Sequence, residues 1–561
     1  MTGSGDGPGG ASGVRRRESI AGAARQVSAG RTFLWAFVAL FTVGCGWCLA
    51  VPYDGFADEA RHTVRAWSAA GGALVFHGPV QGDGTPLITA PKSLAPNAPA
   101  NSACFQQHPQ ISAACSPPAG LRSDGRRMVT IATGAGRYNP LYYAIVGQPL
   151  RLWPDNRGIY LARTLSDAMV SALFAAAFAV TASAARGRRL LSGLLVALTP
   201  VALNLSAAIN PAGLEIAGAV LLWSALVLLV DGRMTSPWLV RACGVGAAVL
   251  AVVRAGGLAW LALILLVGAL GLSRRHARRL AREGAVRRWA ALVALAVVAG
   301  AGWNAWQNPT GQALTLQPGQ SRWNLVANAL NIDVWGRGEY LVDGVVGLVG
   351  FGDTSPPGLV FPVWFCAFGV VLFGAVALTR RRDRIRLLLP IAGTAALSLA
   401  VDVGPISQGW YLSQGRYALP VLAGVPILGA YLLAERGVLD DSSLARLARC
   451  YVVVLLPLQL LTLYAAMLRY QRGLQPADPI PVMPVNPFKG AWLPPLGPQL
   501  PLALAAAGLA ALGVLVWRTA GRPGPLRGPG DAGDQVEPAG FQLLRAASTD
   551  GQQMVDQAGI E

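Results

Sequence analysis

Residues 32–66 read TFLWAFVALFTVGCGWCLAV followed at once by PYDGFADEARHTVRA. The first part is uncharged and, as a helix, about 30 Å long, enough to cross a hydrocarbon core. The second part places Asp58, Glu59, Arg61, His62 and Arg65 where that helix leaves the membrane. Charge beside hydrocarbon is costly and is usually kept there for chemistry or transport. On a helix Asp58 and His62 lie one turn apart, as do Arg61 and Arg65, so acceptors and cations can face one cavity. The same residues also fit a solvated cap whose acids favour a helix N-terminus.

The rest of the chain repeats this alternation. Of 561 residues, 53% are hydrophobic and 13% charged. Apolar runs follow at 159–185, 190–208, 212–230, 238–253, 257–272, 289–306, 358–379, 387–403, 417–433, 451–468 and 500–517. With 32–51 they predict an all-α polytopic membrane protein of about twelve transmembrane helices. The net charge of +18 is carried by arginine, Lys92 and Lys489 being the only lysines. Arginines cluster at 186–189, 274–288, 380–386 and 436–449, while Asp54, Asp58, Glu59, Asp333 and Asp353 collect on the other side. This is a topology signal and not a nucleic-acid-binding face; it places both termini in the cytoplasm of a multi-pass plasma-membrane protein in contact with the lipid bilayer.

The expected domains are a disordered cytoplasmic N-terminus (1–30), a membrane domain (31–518) and a disordered cytoplasmic tail (519–561). Within the membrane domain, loops 52–157 and 307–357 face outward, the first beginning with an amphipathic helix and long enough to be functional. Cys104 and Cys115 share the first loop, where an oxidising compartment permits a disulfide. His77 and His108 lack partners at ligand spacing, so no metal site is expected.

Polar residues recur at the outer ends of the spans. Asn210 precedes Pro211 with Glu215 one turn further on, Arg254 interrupts an apolar run, Asp402 ends a span, and Gln414-Gly-Arg416-Tyr417 opens the next after Trp410 and Tyr411. Such a set suits a sugar carried on a lipid phosphate: arginine binds phosphate bidentately, and a carboxylate takes a proton from an attacking hydroxyl. Each member also has a plainer role, as interfacial aromatic, helix cap, interhelical bond or snorkelling cation. Arg163 and Asp167, four apart, fit an intrahelical pair. No Walker sequence, dinucleotide fingerprint or GxSxG elbow is present.

Several stretches together resemble the DUF2142 family of bacterial membrane proteins, of actinobacterial type, grouped with the GT-C glycosyltransferases. They are Asp58-Glu59-x-x-His62 with Arg65-Ala66, Tyr138-Asn-Pro-Leu-Tyr-Tyr143, Asn210-Pro-Ala-Gly-Leu-Glu215, Gly347-Leu-Val-Gly-Phe-Gly-Asp353-Thr354 and Gln414-Gly-Arg-Tyr-Ala-Leu-Pro420. The usual Pro-Pro-Asp-Glu-Pro lead-in reads Gly55-Phe-Ala-Asp-Glu-Ala60 here, and Gly-Trp-Leu-Asp reads Gly350-Phe-Gly-Asp353. The resemblance implies a GT-C-like bundle whose first outer loop carries amphipathic helices and an acid. It implies a polyprenyl-phosphate-linked sugar as donor, an envelope glycan as acceptor, and inversion at the anomeric carbon, with no certain cofactor and a divalent metal left open. Carried onto this chain, Asp58 becomes the base with Glu59 second. Arg254 and Arg416 become phosphate ligands, and His62 and Tyr417 orienting groups. Arg61, Arg65, Tyr138, Asn210, Glu215, Asp353 and Asp402 complete the expected substrate-binding set. The alternatives are a transporter or flippase for a lipid-linked saccharide and a non-catalytic partner in polysaccharide assembly. No half-to-half repeat and no matching pair of broken helices argues for a transporter.

Overall fold

The structure, a computed structural model, describes residues 9–95, 103–116, 125–184, 186–230, 236–309, 321–403, 405, 411–474 and 486–521, without the side chains of 9–27 and Arg322. Trp410, most of the C-terminal tail and residues 1–8 lie outside these. The first helix, α1 (Gly9–Ala50), begins inside the stretch expected to be disordered. The first loop then contains α2 (Glu59–Ala70), an antiparallel pair β1 (Leu87–Pro91) and β2 (Met128–Ala132), α3 (Pro140–Val146) and α4 (Gln148–Leu152). The β-pair, with Leu87 opposite Ala132, is an addition to the expected all-helical architecture. The expected Cys104–Cys115 disulfide closes the polar part of this loop, with Cα atoms 6.2 Å apart.

The bundle continues through α5 (Asn156–Ser183), α6 (Leu191–Ala197), α7 (Pro200–Ser206), α8 (Pro211–Val230), α9 (Pro237–Val253), α10 (Gly257–Gly271), α11 (Arg274–Arg282) and α12 (Gly284–Gln307). After α13 (Arg322–Asn331) and α14 (Gly338–Val346) it closes with α15 (Val360–Leu378), α16 (Arg381–Asp402), α17 (Gly415–Leu422), α18 (Gly424–Glu435), α19 (Asp441–Arg472) and α20 (Gln499–Ala520). The α8 helix is the buried axis, whereas α12 exposes most of its surface, as a lipid-facing span does. The α1 helix packs against both α5 and α20.

All twelve expected apolar segments are helical, but fewer qualify as spans. Among the described residues nine helices are long and apolar enough to cross a membrane, or up to eleven if each of two bent pairs counts as one. The expected span at 190–208 breaks by 84° between Gly187–Ala197 and Pro200–Ser206. Pro200 lacks an N–H and holds Thr199 in extended backbone, while the Thr199 hydroxyl caps the next helix through Ala202 N at 3.3 Å. The same device starts α8, where Asn210 Oδ1 accepts from Ala212 N at 2.9 Å beside Pro211. The α9 helix has only 17 residues, and α10 meets the arginine-rich α11 at 117°.

The arginine clusters gather at one end of the bundle, away from the first loop. Arg189 bonds Glu435 at 3.1 Å and Asp441 at 2.9 Å, and Arg186 also bonds Glu435. Asp383 accepts from Arg436 at 2.7 Å.

At the opposite end the chain leaves α1 through a turn held from α5. Arg163, fully buried, donates to the carbonyls of Cys48 (2.9 Å), Val51 (2.7 Å) and Pro52 (2.8 Å), satisfying groups that a helix C-terminus leaves unpaired. It also forms a bidentate pair with fully buried Glu59, both bonds 2.6 Å. Arg163 therefore does not pair with Asp167, the intrahelical partner its spacing suggested; Asp167 accepts from Ser171 at 3.1 Å instead. Glu59→Ala strands the Arg163 charge, and the expected loss is about 3–5 kcal/mol. Thermal unfolding of the detergent-solubilised variant measures it; an unchanged midpoint contradicts the assignment.

Candidate functional site

Two aspartates in left-handed backbone shape the turn after α1: Asp54 (φ 62°) and Asp58 (φ 58°). Aspartate tolerates this region better than most residues. Asp54 is buried, and its carboxylate accepts from Ala60 N at 3.0 Å and Ala103 N at 3.2 Å, tying the turn to the disulfide loop. The turn sends two adjacent acids in opposite directions. Glu59 points inward to Arg163, while Asp58 lines a cavity of about 330 Å³ at the loop end of the bundle.

Asp58 is held by two guanidiniums. Arg416 at the start of α17 donates to its Oδ2 at 2.7 Å, and Arg61 donates to its Oδ1 at 3.2 Å. Burial opposes ionisation, but Arg416 and then Arg61 outweigh it and hold the carboxyl below its ordinary value. Arg61 is 56% exposed, so its bond adds little stability. Arg254 reaches the cavity from the end of α9, anchored by Glu215 Oε2 at 2.8 Å. The Tyr417 ring lies between the two arginines, its centroid 4.4 Å from Arg254 Cζ and 5.1 Å from Arg416 Cζ. Tyr138 closes another side, tilted against His62 at 5.9 Å. The titratable and cationic lining thus sets one carboxylate against the guanidiniums of Arg61, Arg137 and Arg254, which favours an anion.

His62 Nδ1 lies 2.7 Å from the Tyr143 hydroxyl in a buried pair. Burial, aided by Arg254 and Arg416 against the pull of Asp58, pushes its imidazole down to about 3. The imidazole is therefore neutral at physiological pH, a hydrogen-bonding group and not a cation.

The structure brings together seven of the thirteen expected residues as cavity lining: Asp58, Arg61, His62, Tyr138, Asn210, Arg254 and Tyr417. Arg416 and Glu215 stand directly behind them, on Asp58 and Arg254. Asn210 is engaged at both ends of its amide, its Nδ2 donating to Ala57 O at 2.8 Å. The other four expected residues serve elsewhere. Glu59 is spent on Arg163. Buried Arg65 staples backbone, donating to Ala73 O (2.9 Å), Leu74 O (2.6 Å) and Tyr138 O (2.9 Å). Asp353 accepts from Gln107 N at 3.0 Å and Arg469 at 3.3 Å, joining the second loop to the first. Asp402 accepts from Leu412 N (2.7 Å), Ser413 N (2.9 Å), the Ser413 hydroxyl and Arg337 (3.1 Å), and so positions the run leading to Arg416.

Sequence reading missed Arg137, which lines the cavity, although it directly precedes the Tyr138-Asn-Pro motif. It also missed the structural arginines Arg337 and Arg469; an arginine on the acidic face, against the charge bias, was the available signal. Among the described residues no group of three or more His, Cys, Asp or Glu side chains converges to hold a metal.

A family model described as a predicted membrane protein, DUF2142, matches residues 41–425. No curated protein and no solved structure matches the chain.

An unfolded His62 takes up its proton near pH 6.5 and the folded one only near 3. Between those values the unfolded state alone is protonated, so His62 lowers stability as pH falls, by up to about 1.4 kcal/mol per pH unit. The stability of wild type relative to His62→Gln should fall accordingly from pH 6.5 to 4 in chemical unfolding. A pH-independent difference contradicts the buried neutral imidazole.

Proposed function

The chain belongs to the DUF2142 family of predicted membrane proteins, and we propose that it is a GT-C-like membrane glycosyltransferase. In this reading it transfers a sugar from a polyprenyl-phosphate donor to a cell-envelope glycan or glycolipid at the extracytoplasmic face of the plasma membrane, with its termini cytoplasmic. The observation that carries the reading is the pairing of one ionised carboxylate, Asp58, with a cavity whose wall also carries three arginines and three tyrosines.

The chemistry follows from those groups. The acceptor hydroxyl gives its proton to Asp58 as its oxygen attacks the anomeric carbon. The bond from that carbon to the phosphate oxygen breaks, and the lipid phosphate leaves with the electron pair. Arg254, with Arg61 and Arg137 beside it, balances the charge growing on the phosphate. A single displacement inverts the anomeric centre. Neutral His62 and the Tyr138 and Tyr417 rings orient the sugar. Glu59 takes no part in the proton transfer because its carboxylate is enclosed by Arg163.

One observation favours a flippase as the second reading: the 84° break before Pro200, with the buried carboxylate of Asp167 in the neighbouring α5. Incubation of the purified protein with polyprenyl-phosphate sugars and glycan fragments separates the two. Asp58→Asn should reduce transfer by about 10²–10⁴-fold while leaving the protein folded. Wild-type transfer by this variant contradicts the base assignment, and movement of the lipid without a new glycosidic bond favours the flippase.

A further inference from the structure

The second loop carries an apolar stripe that nothing among the described residues covers. Trp323, Ala327, Leu330 and Val334 recur at helical spacing along α13 and the π-helical turn after it (Ile332–Gly336). Trp323 is 82% exposed, Leu330 49% and Val334 50%, and Trp335 beside them is 84% exposed. The opposite face is turned into the protein, with Leu325, Ala329 and Asp333 buried. Between the two faces runs a flank of uncharged amides, Asn324, Asn328 and Asn331.

This helix is fixed to the site. Arg337 pairs with Asp333 at 3.3 Å and Asp402 at 3.1 Å, and donates to Ser413 O at 2.6 Å. The α14 helix meets α17 with no side chain between them, since a Cβ on Gly415 would lie 2.1 Å from Leu341 O. The unit bearing the stripe is thus joined to the run that carries Arg416 onto Asp58.

We propose that this stripe is immersed in the bilayer, in the interfacial layer of the leaflet nearest the cavity, and sets the cavity at the depth of the lipid headgroups. Continuity identifies the occupant as lipid. The α13 helix packs against the candidate span α16, which exposes Val401 one residue before its end at Asp402, so in this proposal the stripe continues the exposed apolar surface of that span. Tryptophans at both ends of the stripe and amides without charge along its flank suit the headgroup layer. A consequence rests on the proposed function: a lipid-borne phosphate reaches Arg254 without its tail leaving the leaflet.

The test uses full-length protein in phospholipid nanodiscs, with the exposed Cys366 and Cys450 replaced and nitroxide labels on Trp323→Cys, Ala327→Cys, Leu330→Cys, Asn324→Cys or Asn328→Cys. Power saturation should show oxygen access exceeding nickel-complex access at 323, 327 and 330, with the reverse trend at 324 and 328. Nickel access as high at 323, 327 and 330 as at 324 overturns the proposal, and so does shielding from both reagents, which indicates a protein contact. The labels report depth without any turnover, so this result stands or falls apart from the transferase reading. In the transfer assay, Trp323→Glu with Leu330→Glu should raise KM for a long-chain donor with kcat unchanged.

Discussion

Everything at the loop end of this bundle depends on how α1 is allowed to stop. A helix leaving a bilayer ends with unpaired carbonyls in a poorly hydrated place, and such groups are costly to bury unsatisfied. Arg163 answers that need with bonds to three carbonyls, and Glu59 neutralises it. The ion pair is thus as much a backbone clamp as a charge pair. Once Glu59 is committed inward, the left-handed backbone at Asp58 turns the neighbouring carboxylate the other way. Adjacent acids come to hold unlike environments, one enclosed and one facing an open cavity.

The same economy recurs around the cavity. Asp402 with Arg337, Asp353 with Arg469, and the carbonyl-stapling Arg65 fasten irregular backbone where helices and sheets do not supply partners. Arg469, fully buried, also donates to the carbonyls of Ile111 at 2.8 Å and Phe105 at 2.5 Å, so the end of α19 clamps the disulfide loop. These staples leave Arg61, Arg137 and Arg254 as the guanidiniums on the cavity wall, a lining whose charge favours an anion.

Apolar length made the helices legible, and the alternation of arginine clusters anticipated their gathering at one end of the bundle. The break at Thr199-Pro200 was present in the sequence as a cap followed by proline, but a hydropathy window averages over it. Asp58, His62, Arg254 and Tyr417 were recoverable because polar groups at span ends stand out against their surroundings. Glu59, Arg65, Asp353 and Asp402 stood out equally and proved to hold backbone or the other loops. Position in sequence reveals that a charged group sits near the membrane; only the partners of its oxygens or nitrogens reveal whether it is used up. Arg163 illustrates the converse, since its partner lies 104 residues away and no local spacing points to it.

In the proposed function the Arg254 cavity receives the phosphate of a membrane-borne lipid. Native mass spectrometry of the purified protein, offered equal amounts of a polyprenyl phosphate and the polyprenol of the same length, tests it directly. The account predicts retention of the phosphate over the alcohol by wild type and loss of that preference in Arg254→Gln. Equal retention of both lipids, or an unchanged preference in Arg254→Gln, would contradict it.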